Sequence, residues 1–423
     1  MSPLNGLGAV EEEIIRCMKC GNCQSVCPIY KELRLESSVA RGKIRLAEAL
    51  LKEEVAATSA LKERFDLCLT CLACESVCPS GVKVSSIILA ARKELARKKG
   101  LPWIKRVLFS TLQRPRILRW GAKTAARLQD LAFKRLGSDK MQPRFPLGLE
   151  RRRIFPALAP QSLLEQVEER HSVANPLARV ALFAGCLTNY VFPSAGLATL
   201  YLLRQNRVEV IVPRGQHCCG SPLIYGGAAD VVKEMARSHV TLFSSLKVDA
   251  VLTLCGTCGE AFQHFYPQLL QDAPGYREKA EELAQKTVDI ARFLHQLPLD
   301  RNLLKPLDLT VTYHHPCHLG RGLGVVQEPV ELIKSVPGVR YIPLQDPARC
   351  CGNAGSFSLT HYSLSYSILA HKLKDIAATG AQVVLTGCPA CRMQLLDGLS
   401  QEKMPQEVWH TVELLARACG FPK

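Results

Sequence analysis

Nineteen cysteines dominate the chemistry open to this chain, and all but one fall into repeated groups. Cys17, Cys20, Cys23 and Cys27 are followed by Pro28, and Cys68, Cys71, Cys74 and Cys78 by Pro79. Both groups read C-x2-C-x2-C-x3-C-P, the ligand spacing of cubane 4Fe–4S clusters. Three thiolates on a tight loop wrap one face of a cubane. The fourth, set off by three residues and a chain-turning proline, reaches towards a second site. Gly21 and Ala73, small residues inside the loops, leave room for inorganic sulfide. Zinc suits the pattern poorly, because a tetrahedral ion wants two C-x2-C knuckles and gains nothing from a fourth Cys-Pro.

No cysteine lies between residues 78 and 186. Then come Cys186, the vicinal pair Cys218 and Cys219, and Cys255 with Cys258. The set recurs as Cys317, the pair Cys350 and Cys351, and Cys388 with Cys391, at offsets of 131, 132 and 133 residues. Ten cysteines at one nearly constant offset mark a duplicated module. Five thiolates per module exceed the four ligands of zinc or a simple cubane, and vicinal cysteines can bridge two adjacent irons of a noncubane cluster. Thiols with a purely structural role are the plainer alternative for each copy. Histidines flank the pairs: His217 precedes the first, His314, His315 and His318 surround Cys317, and His361 follows the second. Singly each reads as an ordinary packed side chain; together His217, His315 and His318 are candidates for tuning a cluster or relaying protons. Gly320, Gly322 and Gly324 lack the G-x-G-x-x-G spacing and read as a loop that lets backbone approach the site. Cys419 stands outside the repeats and reads as a small hydrophobe.

The elements that must position these thiols follow from hydrophobic pattern. Residues 40–51 are amphipathic and rich in helix formers, a second helix is expected over 59–66, and 87–95 close the first region. Around the duplicated cysteines, apolar runs alternate with helical patterns. Strands are expected at 179–183, 208–212 and 250–254, and again at 309–313, 339–342 and 382–386. Helices at 194–204, 231–246 and 362–378 alternate with them. That alternation predicts a parallel sheet, with the cysteines just past strand ends at its carboxyl edge.

Length and composition agree. The chain has 423 residues, 47% hydrophobic and 22% charged, which suits two or three folded domains and excludes a disordered or coiled-coil chain. No stretch has the ~18 apolar residues of a membrane span. The first ten residues lack a secretory signature, so the thiols are expected reduced, in a cytoplasmic protein or one peripheral on the inner face of the cell membrane. The formal charge is +16, and residues 92–153 hold 19 Lys/Arg against 4 Asp/Glu. This basic connector reads either as a solvated linker or as a docking surface for an acidic partner or anionic lipid. No zinc-finger, RNP-type or aromatic-interleaved pattern accompanies the charge, so nucleic acid is not expected.

Two Cys-Cys-Gly modules behind such a ferredoxin-like region resemble the family that includes the iron–sulfur subunits of glycolate oxidase and D-lactate dehydrogenase. The anaerobic glycerol-3-phosphate dehydrogenase C subunit and the heterodisulfide reductase catalytic subunit are similar. Ala40-Arg41-Gly42-Lys43-Ile44, Cys68-Leu69-Thr70-Cys71 and Cys350-Cys351-Gly352-Asn353-Ala354-Gly355-Ser356-Phe357 most resemble the glycolate oxidase branch. The resemblance implies an α+β multidomain chain: an N-terminal α-helical two-cluster ferredoxin domain (1–95), a basic helical connector (96–175) and two duplicated α/β Cys-Cys-Gly modules (176–305 and 306–423). It implies crossed ligation, with Cys17, Cys20, Cys23 and Cys78 at one 4Fe–4S cluster and Cys68, Cys71, Cys74 and Cys27 at the other. One or two further clusters, noncubane in heterodisulfide reductase, are expected in the modules. Many glycolate oxidase subunits have lost cysteines from one copy; this chain keeps all five in both.

The function implied is electron transfer from an FAD-binding 2-hydroxy-acid dehydrogenase subunit, acting on D-lactate or glycolate. The acceptor would be an electron-transfer flavoprotein, quinone or other redox subunit. The resemblance implies FAD on the partner, and this chain shows neither a dinucleotide fingerprint nor a phosphate loop of its own. The alternative is a redox catalyst that reduces a disulfide or quinone at a Cys-Cys-Gly cluster. A third reading is a non-enzymatic metal-binding protein.

Overall fold

The computed structural model describes residues 3–137, 139–145 and 148–422. Its first hundred residues are helical, with Ala40–Leu51, Ser59–Asp66 and Val84–Lys99 as the principal helices. The Thr58 hydroxyl caps the second by accepting from the Leu61 N–H at 3.1 Å. The third runs further at both ends than apolar spacing predicts. Arg97, Lys98 and Lys99 fill its last turn, where cations complement the helix dipole, and Gly100 at φ 74° ends it. Ile44, Ala47, Leu50, Phe65, Ile87, Ala91 and Leu95 form the core between these helices.

The connector carries its two long helices in its first half and only a short one, Leu163–Gln166, in its second. Trp103–Gln113 and Pro115–Ala132 are separate helices, because the proline can start a helix but not continue the one before it. Three short strands follow, β1 (Phe133–Arg135), β2 (Lys140–Pro143) and β3 (Phe155–Pro156), in an antiparallel sheet of that order. Its charge is not all solvated either. Lys105 and Arg153 are buried, Lys105 beside Asp66 and Arg153 donating to Ser358, so two of the cations brace the connector against its neighbours.

Both modules are built as the apolar runs predict. In the first, β4 (Arg170–His171), β5 (Ala178–Phe183), β6 (Val208–Ile211), β7 (Ala250–Thr253) and β8 (Thr287–Asp289) lie in the order β4-β6-β5-β7-β8. All pairs are parallel except the edge strand β4. In the second, β9 (Leu309–His314), β10 (Val339–Tyr341), β11 (Val383–Thr386) and β12 (Glu407–His410) lie in the order β10-β9-β11-β12, all parallel. Register shows the duplication directly. Phe183 ends β5 opposite Thr253, and His314 ends β9 opposite Thr386.

The modules share one core. Leu182, Leu252 and Ile290 from the first join Val311, Leu385 and Trp409 from the second in a single apolar cluster. The first module's helix Pro193–Gln205 packs on the second's Thr411–Ala418, and Ile290–Gln296 packs on Gln327–Lys334. Each fully buried leucine contributes about 1.5–3 kcal/mol, so neither half keeps this cluster dry alone.

Candidate functional site

The two N-terminal loops are shaped alike. Lys19 and Gly21 in one, and Thr70 and Leu72 in the other, all take positive φ. For the three non-glycine residues this costs roughly 1–3 kcal/mol each. Such backbone turns N–H groups inward, and the Thr70 N–H donates to the Cys68 sulfur at 3.4 Å. Gly21 corresponds to Leu72, while Ala73 opens the short helix that follows. The first hollow is lined by Cys17, Cys20, Cys23 and Cys78, with Cys74 on its wall. The second is lined by Cys27, Cys68, Cys71 and Cys74. The structure thus brings the fourth cysteine of each run to the other loop.

Two cations between the loops escaped notice as site residues. Arg41 lies over the first loop and donates to the Lys19 carbonyl at 3.3 Å, held by Glu36 at 2.5 Å. Lys43 is buried on the wall of the second hollow and donates to the Ser38 carbonyl. Both lie in a stretch that reads from sequence as an amphipathic helix and a family likeness, not as part of a site. Burial pushes the Cys27 thiol up to about 11, opposed in part by the Lys43 charge. Metal binding must displace that proton.

In the modules, cysteines follow strand ends as expected. Cys186 lies three residues past β5, and Cys255 and Cys258 flank the start of the helix Gly256–Glu260 after β7. The vicinal pairs owe their shape to the third residue of Cys-Cys-Gly. Gly220 and Gly352 both take φ near 85°, at 84° and 86°. Each N–H turns back onto the first sulfur of its pair, at 3.5 Å to Cys218 and 3.4 Å to Cys350. A side chain in that conformation is strained, which accounts for glycine at both places.

The ten thiols form one run. Cys218 faces Cys186 and Cys219, Cys219 faces Cys258, and Cys258 faces Cys255. Cys255 and Cys388 meet across the module boundary at 4.0 Å. From Cys388 the run continues through Cys391, Cys351 and Cys350 to Cys317. It ends at the ferredoxin-like region, where a hydrogen bond from Cys350 pulls the Cys71 thiol down to about 6. The run borders a cavity of about 410 Å³ shared by both modules. Arginines fasten its walls. Arg92 donates to the carbonyls of Phe65, Cys68 and Tyr225, and Arg321 to those of Cys71 and Ala348.

The histidines separate by position. His318 lines the cavity, and its Nδ1 sits 2.5 Å from Glu260, which also accepts from the Tyr225 hydroxyl at 2.5 Å. Burial disfavours the charged ring, but the Glu260 carboxylate outweighs it and holds His318 up to about 9. The His217 ring packs tilted against that of His239, centroids 3.9 Å apart, beside Cys186 and Cys218. His315 packs its ring on Tyr313 and does not line the cavity; burial pushes it down to about 4. His361 pairs with Glu63 at 2.6 Å and ties the second module to the first region. Glu260 and Tyr225 were not found from sequence, since neither lies in a motif.

All nineteen cysteines are free thiols. Soft sulfur donors in sets of four and five suit iron–sulfur clusters rather than hard cations, and the backbone N–H groups aimed at sulfur suit them too.

Comparisons with known proteins agree with this geometry. Residues 13–82 match the 4Fe-4S dicluster domain, and residues 180–263 and 311–396 each match the cysteine-rich domain. The probable glycolate oxidase iron-sulfur subunit of Bacillus subtilis is 31% identical over 97% of this chain and 95% of its own. Lactate utilization protein A of an Exiguobacterium species is 31% identical over 56% of this chain and 97% of its own. A dihydromethanophenazine:CoB–CoM heterodisulfide reductase subunit of Methanosarcina acetivorans is 28% identical over 97% of this chain and 95% of its own. Among solved structures, a hypothetical protein from Helicobacter pylori shares the fold, with a TM-score of 0.58 at 11% identity, over 100% of this chain and 78% of that one. An N-terminal dicluster domain, two cysteine-rich domains and end-to-end similarity to the Bacillus protein place this chain in the family of glycolate oxidase iron–sulfur subunits.

Proposed function

We propose that this chain is the iron–sulfur electron-transfer subunit of a flavin-dependent 2-hydroxy-acid dehydrogenase that oxidises D-lactate or glycolate. The observation that carries the reading is the unbroken set of sulfur donors, from the exposed Cys20 edge through Cys71 and Cys350 to the shared cavity. Cys17, Cys20, Cys23 and Cys78 would hold one 4Fe–4S cluster, Cys68, Cys71, Cys74 and Cys27 the other, and each module's five cysteines one further cluster. Bound there, the clusters supply one-electron transfer. A 2-hydroxy acid gives up a hydride, so a two-electron cofactor, FAD on a partner polypeptide, must stand before this chain. Ile15 and Met18, 73% and 66% exposed beside the first loop, offer that partner an apolar contact next to Cys20. An electron-transfer flavoprotein, quinone or other redox subunit would receive the electrons.

The isolated chain should be brown yet leave lactate and glycolate unoxidised. Adding the flavoprotein should let substrate bleach its visible absorbance. Turnover by this chain alone, with no flavin fluorescence, would place the catalyst in the modules instead. That second reading, reduction of a disulfide or quinone, is favoured by the cavity itself. It calls for a new paramagnetic signal on adding a disulfide without any flavoprotein.

The connector supports docking on an anionic bilayer surface. Ile117, Trp120, Leu128 and Leu131 form one exposed stripe along the helix Pro115–Ala132, while Leu118, Ala122 and Gln129 face the protein. Arg116, Lys123 and Arg127 flank the stripe, and Trp103 on the preceding helix is 68% exposed, as is Trp120. Apolar and aromatic residues edged by cations suit a helix lying in a lipid interface. Among the described residues no helix is long and apolar enough to cross a membrane.

A further inference from the structure

The duplicated modules match cysteine for cysteine, yet they differ at the last residue of the strand that leads to the site. Phe183 ends β5 and His314 ends β9, at the 131-residue offset that also relates Cys186 to Cys317, and each pairs with the equivalent threonine of the neighbouring strand. Phe183 belongs to an aromatic cluster with Phe243 and Phe262, its ring 4.6 Å from that of Phe262. His314 has no such company. It is wholly buried, and neither ring nitrogen makes a regular hydrogen bond. A buried imidazole whose polar neighbour is a thiol, a weak hydrogen-bond partner, is poorly satisfied and costly. Such an expense calls for a ligand.

The groups that face the ring are thiols. A nitrogen of His314 and the sulfurs of Cys351 and Cys391 all lie within 4.8 Å of one another. A first-row metal takes nitrogen and sulfur donors at roughly 2.0–2.3 Å. Donors spaced this closely can converge on a single ion through modest side-chain adjustment.

The geometry points to His314 as a sixth donor, a nitrogen ligand to iron held by the second Cys-Cys-Gly module, with no counterpart in the first. The inference rests on the reading that this module holds a cluster. The neutral ring gives one lone pair to an iron shared with Cys351 or Cys391 and keeps its proton on the other nitrogen, so no outside reactant is needed. The two modules are then chemically unlike. A sixth, neutral donor on one module alone gives the two sites different ligand fields and hence different reduction potentials. The second module also meets the ferredoxin-like region thiol to thiol, through Cys71 and Cys350.

The test uses the full chain prepared anaerobically with iron and sulfide, with histidine carrying either ¹⁴N or ¹⁵N. Pulsed paramagnetic resonance should show one nitrogen coupled at ligand strength, and its frequencies should change with the label. H314F, which installs the first module's own residue, should lose that coupling and shift the midpoint potential of one cluster. H315F and H318Q should keep the coupling. H314Q serves the same purpose should the phenylalanine not fit, and circular dichroism with the iron count shows whether each variant is folded and loaded. A full complement of iron with no label-sensitive coupling overturns the role of His314, as does a coupling that survives H314F. A wild-type protein without iron beyond the two N-terminal sites overturns the underlying reading of the module. Stoichiometric zinc in place of iron also overturns it.

Discussion

The sulfurs of Cys255 and Cys388 lie 4.0 Å apart although 133 residues separate them. They are the same residue of the two copies, so the pseudo-twofold relation between modules passes between them. A ligand position on that axis belongs to both sites. Cys255→Ser or Cys388→Ser should therefore disturb the iron of both modules. Cys186→Ser, at the far end of the thiol run, should remove only ~4 irons from one. Iron and sulfide analysis with Mössbauer spectroscopy separates the two outcomes. Equal and local losses from all three variants would dissociate the modules chemically.

Cys27 lines the hollow of Cys68, Cys71 and Cys74, and Cys78 that of Cys17, Cys20 and Cys23. Cys27→Ser should perturb the paramagnetic signal of the cluster nearer Cys350, and Cys78→Ser the other. If each variant disturbed only the cluster of its own loop, crossed ligation would be wrong.

Gly352→Ala should cost more than Gly220→Ala, though the φ angles nearly match. A Cβ on Gly352 would meet the Ser365 backbone oxygen at 2.5 Å, whereas one on Gly220 would meet a Val232 methyl at the same distance. Side chains yield more cheaply than backbone. The expected loss is about 2–4 kcal/mol for Gly352→Ala and about half that for Gly220→Ala. Thermal melting of both variants checks the order.

Asp289 caps the helix Ile290–Gln296, accepting from the Ala291 N–H at 2.8 Å, and burial raises its carboxyl to about 7. Between about pH 4 and 7 the folded chain keeps a proton that the unfolded chain has lost, so stability falls as pH rises through that window. Asp289→Asn retains the capping oxygen and removes the slope. Its stability should equal that of the parent near pH 4 and exceed it at pH 8, by at most ~4 kcal/mol for the three pH units between about 4 and 7. A variant less stable at pH 8 would mean that the folded carboxyl is ionised.

Vesicle sedimentation checks the lipid-facing stripe. Binding to vesicles with anionic headgroups should weaken several-fold in Trp120→Ser/Leu131→Ser, and in Arg116→Glu/Arg127→Glu with reduced salt dependence. Arg153→Glu should unfold the connector rather than test docking, because Arg153 is buried against Ser358. Retention by the flavoprotein alone, with no vesicle binding, would reassign the stripe to a protein partner.

Sequence reasoning reached the sheets because their central strands are buried on both faces, so 180–183, 250–252 and 383–385 stand out as unbroken apolar runs. It missed the edges. Arg170–His171, Thr287–Asp289 and Glu407–His410 are short and carry charged or polar residues, and Phe155–Pro156 contains a proline. Histidine roles were hidden by pleat parity. His314 and His315 are neighbours on a strand end, and successive side chains point to opposite faces. Only register shows that His314 meets the thiols while His315 lies on Tyr313. Nor does any spacing reveal that two copies of a module wall a single cavity.

That shared wall sets a timetable for making the protein. Chains emerge from the ribosome N-terminus first. Both N-terminal hollows have all their sulfurs once Cys78 is out, while Cys388 and Cys391 come more than three hundred residues later. The outermost strand β12, which pairs with β11 beside them, comes later still. The delivery machinery therefore meets two clients on one polypeptide, an early one open to loading soon after Cys78 emerges and a late one that exists only once β12 has emerged. A chain cut short before β11 would keep its N-terminal metal and lose both of the other sites at once.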